Sequence, residues 1–142
     1  MAGVSGIADR VGAAGSLPEL LGAACEAFEV MLTVIREHDQ PGGELFVPMV
    51  MAGASAGSGR DHVLFAPSLP PRLVSPAGGG QDGGPAMTSQ EAASWLSGVS
   101  RVLAARLTAA AGSAVLAGDR EASLGAAGCA REVLALMGGG RR

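Results

Sequence analysis

The segment that most constrains the fold of this chain is the apolar-rich stretch at residues 16–38, SLPELLGAACEAFEVMLTVIREH. Its apolar residues recur at alternating spacings of three and four, which is the period of a helix and not of a strand. A second apolar row beside the first widens this face, so we expect the helix to be covered on more than one side. The first row is Leu17, Leu21, Ala24, Phe28, Met31 and Ile35, and the second is Leu20, Ala27 and Val34.

Both ends of this helix carry clear sequence signals. Ser16 is a good N-cap, and Glu19 three residues later completes the pattern of a capping box. Pro18 lies in the first turn, where its missing N–H costs little. The Pro-Gly-Gly sequence that begins at Pro41 follows His38 closely and predicts the end of the helix.

The next segment, residues 44–51 (ELFVPMVM), fits either a helix or a strand. Its shortness and its Val, Phe and Met side chains suit a buried strand, but Pro48 cannot donate to a sheet ladder. A proline is tolerated in the first turn of a helix. We therefore expect a second helix over residues 44–58 and a turn at residues 59–61, with a β-hairpin at 45–69 as the alternative.

The second half of the chain begins after a stretch rich in Pro and Gly at residues 67–87, which predicts a mobile linker. Thr88 and Glu91 form another capping-box pattern and open a long apolar-periodic helix. The pair Gly118 and Asp119 is expected to end that helix and to cap the next one. The last helix is expected to run to Gly138, and residues 139–142 to form a tail.

Together these elements predict an all-α protein, an antiparallel four-helix bundle made of two helical hairpins joined by the linker. The α+β fold with the hairpin at 45–69 remains the alternative. A length of 142 residues suits one domain, which we place at residues 16–138 after a flexible N-terminal segment at 1–15. Lys, Asn and Tyr are absent, as is typical of a GC-rich bacterial gene.

Composition argues against several classes of function. The net charge is −3, the basic residues are scattered, and three Phe and one Trp offer little surface for stacking bases. Nucleic acid is therefore not an expected partner. No uncharged apolar run is long enough to cross a membrane, and the N-terminus lacks the pattern of a signal peptide. Cys25 and Cys129 lie within helical patterns and predict buried thiols in a cytoplasmic protein.

Three short motifs suggest chemistry but lack the context that the chemistry needs. Residues 53–57 (GASAG) match the G-x-S-x-G pattern of a catalytic serine, yet no strand–turn–helix or suitably placed His accompanies Ser55. His38 and His62 have no spacing typical of a metal site. Residues 57–60 (GSGR) lack the Lys of a phosphate-binding loop. We expect no cofactor and no metal.

Two functional hypotheses remain. The favoured one is a non-catalytic interaction or accessory protein that self-associates, as a homodimer, or binds a protein partner through the apolar faces of residues 16–38 and 45–51. The alternative is a pocket in the bundle that binds or turns over a small hydrophobic ligand. The residues of the ligand or partner face would be Phe28, Met31, Phe46, Met49, Phe65 and Trp95, with His38 or His62 as the acid–base group.

Overall fold

The computed structural model of the chain describes residues 6–43, 45–71 and 87–138. These residues form five α-helices that pack against one another, and none of them forms a strand. The all-helical class is therefore confirmed, and the alternative hairpin at 45–69 is wrong. None of the described helices combines the length and the apolar character needed to span a bilayer. The helices are α1 (Ile7–Ala13), α2 (Leu17–His38), α3 (Phe46–Leu64), α4 (Ser89–Ser113) and α5 (Ala117–Gly138).

Helix α2 has the limits that the sequence predicts, and its apolar rows form the centre of the core. The hydroxyl of Ser16 accepts a hydrogen bond from the N–H of Glu19 at 3.3 Å. The capping box is only half formed, because the carboxylate of Glu19 accepts from the N–H of Gly15 instead. The buried residues of the helix include Leu20, Leu21, Ala24, Ala27, Phe28, Met31, Val34 and Ile35.

Helix α3 is longer than predicted, because the expected turn at residues 59–61 is helical. Gly59 does not break the helix. A Cβ atom at this position would lie 2.5 Å from Cε1 of Phe28, so the missing side chain lets α3 approach α2 closely. Pro48 is the third residue of α3, within the first turn, where its missing N–H is tolerated.

The N-terminal segment, predicted to be flexible, contains a short helix in its described part. Residues Ile7–Ala13 form α1, and both Ile7 and Val11 are fully buried in the core. The guanidinium of Arg106 on α4 donates hydrogen bonds to the carbonyl oxygens of Val11 and Ala14 at the C-terminal end of α1. Packing and these hydrogen bonds fix the segment despite its glycines. Residues 1–5 lie outside the described residues.

The boundary between α4 and α5 lies earlier in the chain than the sequence predicts. The capping box at the start of α4 is complete, since Thr88 and Glu91 exchange both backbone-to-side-chain hydrogen bonds. The helix ends at Ser113, where Ala114 is extended, and α5 begins at Ala117. Asp119 therefore lies inside α5 and is not its N-cap.

The connection between α3 and α4 is described only at its two ends. The carboxylate of Asp119 accepts hydrogen bonds from the N–H of Ser68 at 2.9 Å and from its hydroxyl at 2.6 Å. Leu69 and Met87 pack against the core from the two sides of the connection. Most of the predicted mobile linker, residues 72–86, lies outside the described residues, as does the predicted tail at 139–142.

Each of the four long helices has two long neighbours. Helix α2 contacts α3 and α4, and helix α5 contacts the same two helices. The short helix α1 packs on α2 and α4. Helix α3 thus has a side facing α2, a side facing α5, and an outer side that no other described helix covers.

Candidate functional site

Three of the eight candidate residues belong to the core. Phe28, Met31 and Met49 have no exposed surface, as the helix period predicts for Phe28. Phe28 lies against Gly59, and Met49 faces inward near the start of α3. These residues are packed in the core, and they line neither of the two clefts described below.

The other candidates do not converge on one place. Phe46 and Trp95 are half-buried, whereas Phe65, directly after α3, is 82% exposed. His38 ends α2, where its Nδ1 lies 3.2 Å from the hydroxyl of Ser89 at the start of α4. His62 lies near the other end of the molecule, in the last turn of α3 and against α5.

The ring of His62 lies over Gly125 of α5. A Cβ atom on Gly125 would lie only 2.5 Å from Nδ1 of this ring, so the glycine makes room for the histidine. Among the described residues, no group of three His, Cys, Asp or Glu side chains is arranged to hold a metal ion. The two histidines therefore have separate packing environments and share no site.

Ser55, the serine of the G-x-S-x-G match, lies in the middle of α3 and not at a strand–helix turn. Its hydroxyl donates a hydrogen bond to Oε1 of Glu132 on α5 at 2.8 Å. His62 lies seven residues later in the same helix, about 10 Å further along its axis. A carboxylate can accept the serine proton, but no described histidine orients or relays it as in a catalytic triad.

Both cysteines are buried thiols, as the sequence predicts. Burial raises the pKa of the Cys129 thiol, and the negative charge of Glu132 raises it further. A raised pKa keeps the thiol protonated at neutral pH, which lowers its nucleophilicity. Cys129 therefore has the properties of a packing residue and not of a catalytic nucleophile.

Two shallow clefts lie at the end of the molecule where α3 ends and α5 begins. One, of about 300 Å³, lies between the start of α2 and the end of α4 beside Arg106, whose guanidinium is occupied by two carbonyl oxygens. The other, of about 270 Å³, is lined by His62, Phe65, Gly118, Glu121 and Ala122. Both are open to solvent, and neither resembles the enclosed apolar pocket that a hydrophobic ligand requires.

The outer side of α3 is the most unusual surface in the described part of the chain. An amphipathic helix usually buries its large apolar side chains against the core. On α3, in contrast, Val47 is 60% exposed, Val50 45% and Met51 52%. Ala54 and Ser58 continue the same side and are also exposed. The sequence contains no charged residue from Phe46 to Gly59, so this part of the exposed side has no ionic groups.

Only part of this surface could be predicted from the sequence. Residues 45–51 are recognisable as an apolar segment, but so is the apolar face of residues 16–38, which α2 buries against its own neighbours. The sequence does not predict the exposure of Val115 and Leu116, which lie in the connection between α4 and α5. The sequence predicts α4 to continue to Gly118 and so to include both residues, but the helix ends at Ser113.

Comparison of the chain with known protein families, with curated proteins and with solved structures found no match.

Proposed function

We propose that this protein is a non-catalytic interaction or accessory protein that self-associates through the outer side of α3. We call this side the α3 face and define it as Val47, Val50, Met51, Ala54, Ser58, Asp61 and Phe65. The observation that carries the proposal is the exposure of large apolar side chains on a helix segment without charges. Contiguous exposed apolar surface of this kind is typical of interaction sites in folded proteins.

The physical basis is the hydrophobic effect. Removing apolar surface from water contributes about 25 cal/mol per Å². A charged helix face would lose hydration on association, whereas the segment Phe46 to Gly59 has no charges to desolvate. Small side chains such as Ala54 and Ser58 would allow another helix backbone to approach closely.

A matched pair of substitutions tests the proposal. Val50→Glu places a carboxylate on the α3 face, whereas Val115→Glu makes the same change at a residue that is 90% exposed in another element. We expect wild type and Val115→Glu to show a mass that rises with concentration in multi-angle light scattering, and Val50→Glu to remain monomeric. A wild-type protein that stays monomeric at millimolar concentration would contradict self-association.

The alternative, binding of a small hydrophobic ligand, has less support. Of the aromatic and Met side chains proposed for its pocket, three are packed in the core, one is exposed at the end of α3 and two are half-buried. They are, in that order, Phe28, Met31 and Met49, then Phe65, then Phe46 and Trp95. Trp95 is the only Trp, so its fluorescence reports directly on such binding. A saturable change of Trp95 emission with an apolar ligand would revive this alternative.

We also propose that the four long helices form an antiparallel bundle of two hairpins, α2–α3 and α4–α5. The support comes from residue pairs that progress in opposite directions along neighbouring helices. For α2 and α3 the pairs are Phe28–Gly59 and Ile35–Gly53, for α3 and α5 they are Ser55–Glu132 and His62–Gly125, and for α4 and α5 they are Ser97–Gly138 and Thr108–Arg131.

This arrangement is directly accessible to NMR. We expect nuclear Overhauser contacts between the His62 ring and the Hα protons of Gly125, and between Ile35 methyl groups and Gly53. Helices α2 and α5 should show no mutual contacts, because they would occupy a diagonal of the bundle. Contacts across that diagonal would contradict the proposed order.

The location of the protein is a further part of this proposal. We propose the cytoplasm, because neither Cys25 nor Cys129 is in a disulfide and both are buried. Thiols persist in a reducing compartment and are commonly oxidised outside it. Fusion of the chain to a redox-insensitive fluorescent protein, followed by cell fractionation, tests this assignment.

A further inference from the structure

We propose that the groove between α2 and α4 is a helix-binding site, which α1 occupies in the free chain and from which a partner helix displaces it. The partner is a short amphipathic helix of another protein, with apolar side chains at positions i and i+4. A helix bound in an apolar groove is a common mode of recognition between proteins. Helix α1 packs on α2 and α4 and not on α3, so this site lies apart from the α3 face and does not depend on self-association.

The four long helices contact one another in a closed ring that does not include α1. The contacts are α2 with α3, α3 with α5, α5 with α4, and α4 with α2. Displacement of α1 leaves all four of these contacts in place. The bundle is therefore expected to stay folded while the groove is open.

Helix α1 depends on the groove for its structure. It has seven residues, whereas an isolated helix needs at least about 12 to be stable in water. Gly6 at its N-cap has no side chain to accept a hydrogen bond from the first turn. The ion pair between Arg10 and Glu26 is exposed to solvent, and such pairs contribute little. Docking and folding of α1 are therefore one local equilibrium, distinct from the folding of the bundle.

Two apolar side chains make the contact of α1 with the core. Of its seven residues only Ile7 and Val11 are buried, and neither has any exposed surface. They lie four residues apart and so share one side of the helix. Packing does not require Gly12, because a Cβ atom there would lie 3.9 Å from Cγ1 of Val102, an ordinary contact. The groove thus selects the i, i+4 apolar pattern and accepts a better helix former than α1.

Arg106 of α4 recognises the end of the docked helix and not its sequence. Its guanidinium donates hydrogen bonds to the carbonyl oxygens of Val11 and Ala14. The N–H of Gly15, which would bond to Val11 in a continued helix, donates to the carboxylate of Glu19 instead. The last carbonyls of any helix lack helical partners and carry partial negative charge, so a partner helix offers Arg106 the same acceptors.

The groove continues past the end of α1 as the cleft of about 300 Å³ beside Arg106. Residues 14–16, which connect α1 to α2, line this cleft without filling it. A partner helix longer than α1 gains this contact, which offsets the advantage that α1 has because it is attached to the chain. The walls from α2 and α4 are apolar or small, and include Leu17, Leu20, Ala109, Ala110 and Ser113.

The attachment of α1 determines what an experiment should show. An attached segment has an effective concentration in the millimolar range, so it excludes an external helix that makes only the same contacts. The apparent affinity for that external helix is reduced in proportion to the fraction of grooves that are open. A substitution that expels α1 should therefore increase the affinity, whereas the loss of an ordinary binding contact would decrease it.

An NMR titration of the full-length chain tests this reversal. The probe is a peptide of residues 6–15 that carries Gly12→Ala and Gly15→Ala, which favour the helix. Ile7→Asp in the protein places a carboxylate in the apolar groove and should expel α1. We expect this variant to bind the probe at least about tenfold more tightly than the wild type does, with the Nε–H signal of Arg106 returning towards its wild-type position. A probe that also carries Ile7→Asp should not bind.

Two further changes on α4 provide a matched control. Arg106→Gln added to Ile7→Asp should weaken binding of the probe, whereas Arg101→Gln, at an exposed position of the same helix, should leave it unchanged. Circular dichroism should show that Ile7→Asp keeps the helical bundle. A variant that loses its folded structure would overturn the proposal, because α1 would then be an inseparable part of the fold. A folded variant without a saturable shift at millimolar probe would overturn it as well.

Hydrogen exchange of the wild type gives a second measurement that needs no substitution. Local opening of α1 should let the amides of residues 10–13 exchange at least about tenfold faster than those in the middle of α2. Equal protection of the two helices would show that α1 opens only when the whole chain unfolds. That result would overturn the proposal whatever the variants show.

Discussion

Gly59 and Gly57 lie two residues apart in α3 but have opposite surroundings. A Cβ atom at Gly59 would meet the Phe28 ring at 2.5 Å, whereas a Cβ atom at Gly57 would meet nothing within 4 Å. Ala is a better helix former than Gly by about 1 kcal/mol, so Gly57→Ala should stabilise the protein by up to that amount. Gly59→Ala should destabilise it by about 1–3 kcal/mol, because the overpacking of Phe28 exceeds the helix gain.

Urea unfolding followed by circular dichroism measures both variants. A Gly59→Ala variant as stable as Gly57→Ala would show that α2 and α3 are not in close contact at this point. The same comparison separates helix propensity from packing, because the two substitutions are chemically identical.

Phe28 is the largest of the fully buried side chains. Phe28→Ala removes that side chain from a packed core, so it should cost about 3–5 kcal/mol, a large part of the stability of a domain of this size. Glu37→Ala, at an exposed position of the same helix, should stay within about 0.5 kcal/mol. An unchanged urea midpoint for Phe28→Ala would mean that the apolar rows of α2 do not form the core.

At the scale of the element, the start of the connection after α3 is held by one acidic side chain. Asp119 is 2% exposed and receives both of its described hydrogen bonds from Ser68. Asp119→Ala should cost about 1.5–3 kcal/mol, since it removes hydrogen bonds to a charged group and leaves the N–H of Ser68 without that acceptor.

Two variants serve as controls for Asp119. Asp119→Asn keeps an acceptor for the N–H of Ser68, so it should cost clearly less than Asp119→Ala. Glu121→Ala, at an exposed acidic position two residues further along α5, should change the urea midpoint little. Equal losses for all three variants would mean that charge at the start of α5, and not the contact with Ser68, matters.

The limits and the buried face of a helix could be predicted from the sequence where they depend only on residues within that helix. The period of the apolar rows in α2 and the capping residue Thr88 depend on local sequence, and the structure agrees with both. The role of Gly59 could not be predicted, because whether a glycine ends a helix or admits a neighbour depends on where the Phe28 ring lies. Asp is a residue type that is common at N-caps. Asp119 instead bonds to Ser68, which is 51 residues away, so this role could not be predicted from local sequence.

The exposed apolar surface of α3 could likewise be predicted only in part. The apolar character of Val47, Val50 and Met51 is visible in the sequence, but their exposure depends on which sides of α3 the other helices cover. The exposure of Phe65 also depends on packing around the end of the helix. Sequence alone therefore indicated apolar segments without distinguishing the buried face of α2 from the exposed face of α3.

At the scale of the whole molecule, exposed apolar residues are distributed unevenly over the described helices. Five of the eight large ones belong to α3 or directly follow it, namely Val47, Val50, Met51, Leu64 and Phe65. Helix α2, with the strongest apolar pattern, has none among those eight. The helix with the most regular apolar period, α2, thus lies in the core. Most of the exposed large apolar side chains belong instead to α3, which has no charge from Phe46 to Gly59.

Self-association of such a molecule must couple to its thermal stability. A partner that binds only the folded chain stabilises it by mass action, and for a dimer a hundredfold rise in concentration above Kd contributes about 1.4 kcal/mol per chain. The Tm of the wild type should therefore rise by a few degrees across that range. Val50→Glu should show the same Tm at all concentrations, and Val115→Glu should behave like the wild type.

The slope of Tm against concentration also separates the core from the interface. Phe28→Ala should lower the Tm at every concentration and keep the slope, because Phe28 is fully buried within one chain. Val50→Glu should remove the slope and leave the low-concentration Tm nearly unchanged, because Val50 is 45% exposed. Differential scanning calorimetry at two concentrations a hundredfold apart gives both quantities. A slope lost in Phe28→Ala but kept in Val50→Glu would exchange the roles of the two helices and place the interface on α2.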